Sequence, residues 1–396
     1  MPRSGQHDIN SFSIEASQAT LNDLQDRLER TRWPDSIGEP WVYGSDLAFL
    51  KSLVSYWLTE YDTEAALNRL NQLDQYTLDI DGRKLHFVHA KSPHADALPL
   101  VMTHGWPGSF AEFEAIIPRL THPETFGGDS TDAFHVICPS IPGYGFSDAP
   151  DQPGFDPRSV AQDHILLMQQ LGYQRYGLQG GDWGSAISSW HAKLAPDAVA
   201  GLHLNLIFAP QPKDVADPLE GVSDAERARL AKSRLRMVDG TGYQAIQGSK
   251  PQTLGYGLMD SPVGLAAWII EKFQHWTDPS KSLTASVDRD QLLTNIMIYW
   301  LSGNITASTR LYYEAAHSEA NLFLAGRIET PTGHAVFPGE LYLPPRAWAE
   351  RQYNIQHWSI MPHGGHFAAL EVPDLLADDL QHFFKHCRSA APRGQR

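Results

Sequence analysis

An acidic residue lies at the centre of a glycine-rich stretch, Gly180-Gly181-Asp182-Trp183-Gly184. The surrounding sequence, GLQGGDWGSAISSW at residues 177–190, predicts a strand that ends, a tight turn, and a helix that begins. Small residues on both sides of the acid are typical of a strained strand-to-helix turn that raises a nucleophile above a sheet, because a Cβ atom would clash there. The same five residues would also suit an ordinary turn in which Asp182 caps the helix.

A carboxylate at such a turn would perform a different reaction from a serine. It is ionised at neutral pH and needs no base for its own attack. Attack on an sp³ carbon that carries a leaving group makes an alkyl ester of Asp182. Water must then attack the ester carbonyl, and this second step requires a base. The interpretation as a nucleophile therefore depends on finding a histidine and a second acid.

The chain order for this type of turn is nucleophile, acid, histidine. His366 stands in MPHGGHF, after a predicted late strand and before the last helix, and is the candidate base. Glu340 follows the predicted strand in AVFPGEL and would orient the imidazole and stabilise the imidazolium. Glu340 could instead be an exposed loop residue. His363 and His366 could form a metal pair, although no cysteine or carboxylate has the spacing of a zinc ligand.

Backbone donors for an oxyanion are expected at two glycine turns. The stretch HGWPGS at residues 104–109 ends the first predicted parallel strand. There the N–H of Trp106 is well placed, together with that of Trp183, to receive the oxyanion of the hydrolytic step. We interpret His104 as structural, because a carboxylate nucleophile needs no second base. The stretch PGYGFS at residues 142–147 is expected to shape the neighbouring loop.

Tyrosines are the candidates for stabilising a leaving group. If the leaving group is the oxygen of a strained ring, it becomes an alkoxide and requires acidic O–H donors, for which tyrosine is suited. A predicted helical region carries several of them: Tyr243, Tyr256, Tyr299 and the pair Tyr312-Tyr313. From the residues alone, each of these could equally be an aromatic of the region's own core.

The elements that must position these residues alternate between strands and helices from about residue 98. Four short apolar runs end in glycine, proline or polar residues: LPLVMTHGWPGS, FHVICPSIPGYGFS, YGLQGGDWGS and AGLHLNLIFAP. Such alternation predicts an α/β fold with a mostly parallel sheet covered on both faces. Ligands bind beyond the carboxyl ends of the strands in such sheets. We therefore expect the three glycine turns to converge on one site.

Four parts of the chain are predicted. Residues 1–95 form an N-terminal segment of amphipathic helices and a β-hairpin, whose turn is Asp81-Gly82. Residues 96–210 form the first part of the α/β core, residues 211–325 an inserted helical lid, and residues 326–396 the second part of the core.

Composition restricts the class of partner. The 396 residues carry a net charge of −15 and no cluster of Lys and Arg, which disfavours nucleic acid and anionic membranes. The two cysteines, Cys138 and Cys387, are interpreted as free thiols in a reducing compartment. No apolar stretch long enough for a signal peptide or a transmembrane helix is present. A soluble, cytoplasmic protein without a membrane anchor is expected.

Taken together, the motifs resemble those of the microsomal-type epoxide hydrolases of the α/β-hydrolase superfamily, in particular their soluble branch. The similarity extends over nearly the whole chain and includes RLERTRWPD, THGWPGSFAEF, PSIPGYGFSDAP, GGDWGS, YQAIQGSKPQTLGYGLMDSPVGLAAWIIEKF, LLTNIMIYW, FPGEL and GGHFAALEVPDLL. The resemblance implies an α/β-hydrolase fold with a helical lid and an N-terminal meander.

The resemblance also implies roles for individual residues. It implies Asp182 as nucleophile, His366 as base and Glu340 as the acid that orients it, although some relatives have Asp in place of Glu. It implies Tyr243 and Tyr312 as ring-opening donors, since Arg310-Leu311-Tyr312 is similar to an Arg-aromatic-Tyr motif. Tyr313, one residue further on, is the alternative to Tyr312.

The reaction implied is the addition of water to an apolar epoxide, without a cofactor or a metal, to give a vicinal diol. It would make the protein a hydrolase of an ether bond, with roles in detoxification or in catabolism of aromatic hydrocarbons, and a homodimer is plausible. The alternatives are a haloalkane dehalogenase, in which Trp183 could bind halide, a weaker ester or lactone hydrolase, and a non-catalytic ligand-binding member of the fold.

Overall fold

The computed structural model describes residues 8–319 and 326–388. Within them, nine strands form one sheet: β1 (Ile9–Ser11), β2 (Gln75–Ile80), β3 (Arg83–Ala90), β4 (Leu98–Thr103), β5 (Phe134–Pro139), β6 (Tyr176–Gly180), β7 (Val199–Leu204), β8 (Ile328–Val336) and β9 (Tyr353–Ile360). Their spatial order is β1-β2-β3-β5-β4-β6-β7-β8-β9. The strands from β5 to β9 in this order are mutually parallel, whereas β1, β2 and β3 pair antiparallel at one edge.

Sixteen α-helices occur in the same described part of the chain. They are α1 (Gln18–Glu29), α2 (Leu47–Thr59), α3 (Thr63–Leu70), α4 (Ile117–Thr121), α5 (Pro157–Gln170), α6 (Trp183–Leu194), α7 (Asp224–Gly240), α8 (Gly242–Gln247), α9 (Pro251–Asp260), α10 (Pro262–Trp276), α11 (Leu283–Ser286), α12 (Arg289–Ser302), α13 (Ile305–His317), α14 (Arg346–Gln352), α15 (Ala368–Glu371) and α16 (Pro373–Arg388). None of them is both long and apolar enough to cross a membrane.

The centre of the sheet is buried on both faces. Every residue of β4, β6 and β7 is buried, which explains why these strands are continuous apolar runs rather than alternating ones. Helices α5 and α6 pack against each other, and α6 and α16 both contact β7 and β8. The predicted mostly parallel α/β sheet, covered on both faces, is confirmed.

The N-terminal segment extends the sheet and supports the helical region. The predicted hairpin is confirmed: Asp81 and Gly82 have φ angles of 54° and 84° in the turn between β2 and β3. The predicted amphipathic helices include α1 and α2, whose N-termini are capped by the side chains of Ser17 and Asp46. Both helices contact α10, so this segment holds one end of the sheet and one side of the lid.

Helices α7 to α13 are inserted between β7 and β8, which are adjacent parallel strands in the sheet. Their buried faces are rich in Trp, Tyr, Phe, Leu and Ile and pack against residues of the N-terminal helices and of the loops at the carboxyl ends of the strands. The predicted lid boundary at residue 325 lies outside the described residues. The division of the chain into the four predicted parts therefore stays a prediction.

Candidate active site

Asp182 stands at the tip of the turn between β6 and α6. Its φ and ψ of 50° and −127° are strained for a non-glycine residue, at a cost of about 1–3 kcal/mol. The glycines around it are sterically required. A Cβ atom on Gly184 would overlap the carbonyl oxygen of Thr103, and one on Gly180 would overlap that of Gly184. The turn therefore has the geometry of a nucleophile elbow.

The carboxylate of Asp182 is held from one side by the backbone. Its Oδ1 accepts a hydrogen bond of 2.8 Å from the N–H of Trp106. Burial raises the pKa of Asp182 above its usual range, while the positive charge of His366 and the N–H groups of Trp106 and Trp183 oppose the rise. Oδ1 is thus engaged by the Trp106 amide, whereas Oδ2 lies on the side of His366.

His366 lies between Asp182 and Glu340, in the arrangement of a catalytic triad. Its Nε2 is 3.6 Å from Asp182 Oδ2, and its Nδ1 is 2.7 Å from Glu340 Oε1. Burial alone would lower the pKa of His366, but the charge and hydrogen bond of Glu340, then the charge of Asp182, outweigh it and raise the pKa to about 9. Glu340 is fully buried, which argues against an exposed loop residue.

Glycines also bring the acid and the histidine loops together. Gly364 has a φ of 102°, and a Cβ atom on Gly339 would be only 2.6 Å from the Cα of Gly365. The N–H of His366 donates a hydrogen bond of 2.8 Å to the carbonyl of Trp276, the last residue of α10. This hydrogen bond from His366 to α10 of the lid thus contributes to the position of the histidine loop.

Tyr243 and Tyr312 face the elbow from the lid. The ring of Tyr243 stacks on that of Trp106 with centroids 5.3 Å apart. The ring of Tyr312 makes edge contacts with Trp106 at 5.9 Å and with Trp183 at 4.7 Å. Both tyrosines are buried, and their ring centroids are 5.8 Å apart. The structure therefore brings both predicted donors to the predicted nucleophile.

The environment of the two hydroxyls keeps them protonated. Burial raises the pKa of both tyrosines above the usual value, and the negative charge of Asp182 raises it further. Tyr243 Oη accepts a hydrogen bond of 3.0 Å from Gln244. Across residues 8–319 and 326–388, the buried hydroxyl of Tyr312 has no hydrogen-bond partner of normal geometry, although it interacts electrostatically with Tyr243. Both groups can therefore donate a hydrogen bond to an oxygen placed between them.

The other candidate tyrosines lie elsewhere. Tyr256 is 73% exposed, and Tyr299 is buried with its hydroxyl bonded to the carbonyl of Gly108 at 2.8 Å. Tyr313 points to the surface, where its ring stacks on His317 with centroids 4.0 Å apart. Of the pair Tyr312-Tyr313, only Tyr312 is at the site.

A cavity of about 780 Å³ connects the nucleophile with the tyrosines. It is lined by Asp182, Trp183, Tyr243 and Tyr312, and its remaining walls are mostly apolar, with Trp190, Leu206 and Leu341 among them. This volume suits a small organic ligand. A larger hollow of about 1030 Å³ lies between the N-terminal segment and the start of α10, and none of the predicted site residues line it. We call the 780 Å³ space the substrate cavity.

His104 and His363 lie in different surroundings, one buried and one exposed. Burial lowers the pKa of His104 to about 4. Its Nδ1 contacts the carbonyl of Gly105 at 3.1 Å, and its Nε2 accepts from the N–H of Ile141 at 3.2 Å, so it connects two of the three glycine turns. His363 is exposed. In the part of the chain that the structure describes, no group of three or more His, Cys, Asp or Glu side chains could hold a metal ion.

Two residues near the site were not found by sequence reasoning. Glu112 lines a small space behind Asp182 together with His366. Arg236 of α7 donates hydrogen bonds to the carbonyls of Glu340 at 3.0 Å and of Pro338 at 3.3 Å. Glu112 stands within THGWPGSFAEF, but no motif or spacing singled out its side chain. No sequence pattern near Arg236 indicated a role for it, because its hydrogen-bond partners are backbone carbonyls 102 and 104 residues further along the chain.

The Asp182 elbow, the loop that carries His366 and the buried Glu340 all lie on a mostly parallel sheet. Together they define an α/β hydrolase with an aspartate at the nucleophile position. Comparison with known families agrees. A model of the epoxide hydrolase N terminus matches residues 9–113, and a model of the alpha/beta hydrolase fold matches residues 99–317. Epoxide hydrolase 1 of Sus scrofa is 39% identical over 400 residues, which cover 95% of this chain and 88% of that protein.

Solved structures extend the similarity to the whole fold. The crystal structure of juvenile hormone epoxide hydrolase from the silkworm Bombyx mori is 34% identical, with a TM-score of 0.89, and covers 97% of this chain and 95% of that one. Aspergillus niger epoxide hydrolase is 31% identical, with a TM-score of 0.85, and covers 96% and 97%. The chain belongs to the epoxide hydrolase family.

Proposed function

We propose that the protein adds water to an apolar epoxide and releases a vicinal diol, by way of a covalent ester at Asp182. The observation that carries the proposal is that the hydroxyls of Tyr243 and Tyr312 share the substrate cavity with the carboxylate of Asp182. A carboxylate supplies a nucleophile for carbon, and two phenols supply donors for an oxygen that leaves. This pair of functions matches the opening of an epoxide ring.

In the first step, the tyrosines hydrogen-bond the ring oxygen while Asp182 Oδ2 attacks a ring carbon from the opposite side. The carbon–oxygen bond of the ring breaks, and the oxygen takes a proton from a tyrosine. Burial makes both phenols weaker acids in the free enzyme. The negative charge that develops on the ring oxygen makes that oxygen a stronger proton acceptor, which favours the proton transfer. The product of this step is an alkyl ester of Asp182 that carries a neighbouring hydroxyl.

In the second step, His366 removes a proton from water, and the hydroxide adds to Cγ of Asp182. Negative charge develops on Oδ1, where the Trp106 N–H already donates and the Trp183 N–H is near. Collapse breaks the ester bond, and His366 returns its proton to the departing alkoxide. The remaining acid proton on Asp182 restores the tyrosine, so that one water is consumed and no proton is gained or lost.

Formation of the ester in the first step lowers the pKa of His366, which is the base of the second step. The negative charge of Asp182 is one of the interactions that raise the pKa of His366. Esterification removes that charge, so the pKa of His366 falls at the moment when a neutral imidazole is required. Glu340 then stabilises the imidazolium that forms. The chemistry needs no cofactor, and we propose apolar epoxides as substrates because the walls of the cavity are mostly apolar.

A haloalkane dehalogenase is the second candidate. It is favoured by one observation: among the described residues, the indole N–H groups of Trp106 and Trp183 are buried and have no hydrogen-bond partner. Two such donors could bind a halide that leaves. The two tyrosines have no task in that reaction, and the compared relatives are epoxide hydrolases.

The test is a paired assay of the purified protein with styrene oxide and a 1-haloalkane, in which diol and halide are measured. Diol without halide is expected. A single turnover in ¹⁸O-labelled water should give unlabelled diol, because the oxygen comes from Asp182, and the label should appear in Asp182. Asp182→Asn, freshly purified to limit deamidation, should form neither ester nor diol. Halide release alone, or label in the first diol, would contradict the proposal.

A further inference from the structure

A second, much smaller cavity lies behind the nucleophile. Its volume is about 20 Å³, which is close to the space that one water molecule needs. Asp182, His366, Glu112, Gln179 and Thr103 are among its lining residues. Only Asp182 also lines the substrate cavity. We call this space the rear cavity; the carboxyl of Asp182 separates it from the substrate.

Buried polar atoms in the walls of the rear cavity need a partner. The Oγ1 of Thr103 and the Oε1 of Gln179 are buried and accept or donate no hydrogen bond within the described residues. The Gln179 amide is oriented by Asn205, whose Oδ1 accepts from Gln179 Nε2 at 2.8 Å, so Oε1 remains available. Buried polar groups in proteins are almost always satisfied. A water molecule in this cavity would satisfy both atoms beside His366.

A third cavity adjoins the rear cavity on the side of the molecule where α12 begins. Its volume is about 330 Å³, and Gly108 and Glu112 line both it and the rear cavity. Its other walls include the exposed acids Asp288 and Asp290 at the start of α12. We call this space the outer cavity. The side chain of Glu112 therefore stands at the junction between a wet surface and the reacting groups.

The carboxyl of Glu112 interacts electrostatically with both reacting groups. Burial raises its pKa to about 8; the charge of Asp182 also raises it, whereas His366 and the Gly105 N–H oppose the rise. When it is ionised, Glu112 in turn contributes to the raised pKa of His366. The raised pKa favours the protonated form of this carboxyl, which can both donate and accept a hydrogen bond. In that form it can hydrogen-bond a water molecule where the two cavities adjoin, without a full negative charge beside Asp182.

The covalent intermediate would block the substrate cavity to water, so that water from the rear cavity becomes important. Once Asp182 is esterified, the substrate's carbon skeleton fills the apolar cavity on the tyrosine side. Water that entered from that side would have to pass the bound ester. The rear cavity is lined by both Asp182 and His366, and it shares Gly108 and Glu112 with the outer cavity, whose walls carry exposed acids.

We infer that the water that hydrolyses the Asp182 ester is bound in the rear cavity and is supplied through the outer cavity past Glu112, which acts as its positioning residue. The inference rests on the proposed epoxide hydrolysis. It assigns separate entrances to the two reactants: the epoxide through the substrate cavity and water through the opposite side.

The test separates formation of the ester from its decay. Wild type, Glu112→Gln and Glu112→Leu are mixed with styrene oxide, quenched after milliseconds to seconds, and analysed by mass spectrometry for esterified protein. In Glu112→Leu, ester formation should stay within about twofold of wild type. Its decay should slow about tenfold or more, as expected when a hydrogen bond worth about 1–2 kcal/mol is lost. Glu112→Gln keeps a polar group of the same shape and should recover part of the decay rate.

Two further variants serve as controls. Glu114→Gln changes a carboxylate that lines the outer cavity but not the rear one, and pairs with Arg69 at 2.8 Å; both rates should stay close to wild type. Ala111→Leu narrows the outer cavity and leaves every carboxylate in place, so decay alone should slow. This variant also tests the inference if Glu112→Leu does not fold.

The possible outcomes are distinct. Equal slowing of formation and decay in the Glu112 variants would mean that Glu112 only maintains the structure, and the inference would be wrong. Unchanged decay in Glu112→Leu and Ala111→Leu would mean that water arrives by another route. Absence of ester and diol in the wild type would instead contradict the proposed function itself.

Discussion

The two sides of the candidate active site are held by different forces. On the sheet side, Asp182, Glu340 and His366 are fixed by backbone turns and short hydrogen bonds, such as the 2.7 Å contact between Glu340 and His366. On the lid side, Tyr243 and Tyr312 are fixed mainly by the faces and edges of other aromatic rings. Hydrogen bonds are directional, whereas aromatic packing tolerates small shifts.

This difference corresponds to a division of labour in the proposed reaction. The sheet side would carry out the hydrolytic step, in which a proton must be taken from one water at one position. The lid side would assist ring opening, in which donors must follow the oxygen of substrates of different shapes. Variants on the two sides should therefore affect different steps and to different degrees.

The largest effect is expected on the sheet side. His366→Gln should still form the ester, because the attack by Asp182 needs no base, but should hydrolyse it about 10³–10⁴-fold more slowly. Rapid-quench mass spectrometry should find nearly all of the protein esterified after one equivalent of epoxide. If His366→Gln failed to form the ester while remaining folded, the division between the two sides would be wrong.

A smaller effect is expected on the lid side. Tyr243→Phe and Tyr312→Phe should each slow ester formation about 10- to 100-fold, the worth of one hydrogen bond of about 1.5–3 kcal/mol to a developing charge. The rate of ester decay should change little. Tyr313→Phe, one residue away on the surface, is the matched control and should behave as wild type in both steps. Equal losses in Tyr312→Phe and Tyr313→Phe would contradict the assignment of Tyr312.

The smallest effect concerns stability rather than turnover. The folded state raises the pKa of His366 from 6.5 to about 9, so it binds this proton more tightly than the unfolded chain does. The resulting stabilisation is fully present below about pH 6.5 and is lost as the pH rises through 9. The stability difference between wild type and His366→Gln, measured by urea unfolding, should therefore shrink from pH 6 to pH 9.5. A difference that grows over this range would contradict the ion-pair geometry of the triad.

The sequence was informative about the sheet side because its constraints are local. The elbow needs glycines at fixed positions around Asp182, and a Cβ atom on Gly184 would overlap the carbonyl of Thr103. The parallel strands are continuous apolar runs, and the hairpin turn at Asp81-Gly82 requires two positive φ angles. Each of these requirements restricts residue types within a few positions, so a pattern can be read.

The lid side was not predictable from spacing alone. Tyr243, Tyr256, Tyr299 and Tyr312 all lie on helices, and only the three-dimensional packing distinguishes an exposed Tyr256 from a Tyr312 at the cavity. The choice required the resemblance to a family. Glu112 was missed for a similar reason, since its importance arises from cavities formed by residues distant in sequence.

The insertion of the lid between β7 and β8 has a consequence for folding during synthesis. The strands from β1 to β7 are all synthesised before the lid and are neighbours in the sheet, whereas β8 is made only after residues 205–327 and can pair with β7 only then. Asp182 is therefore made long before Glu340 and His366. A chain that has folded only its first half carries the nucleophile but neither the base nor its partner, and complete assembly of the triad marks the end of folding.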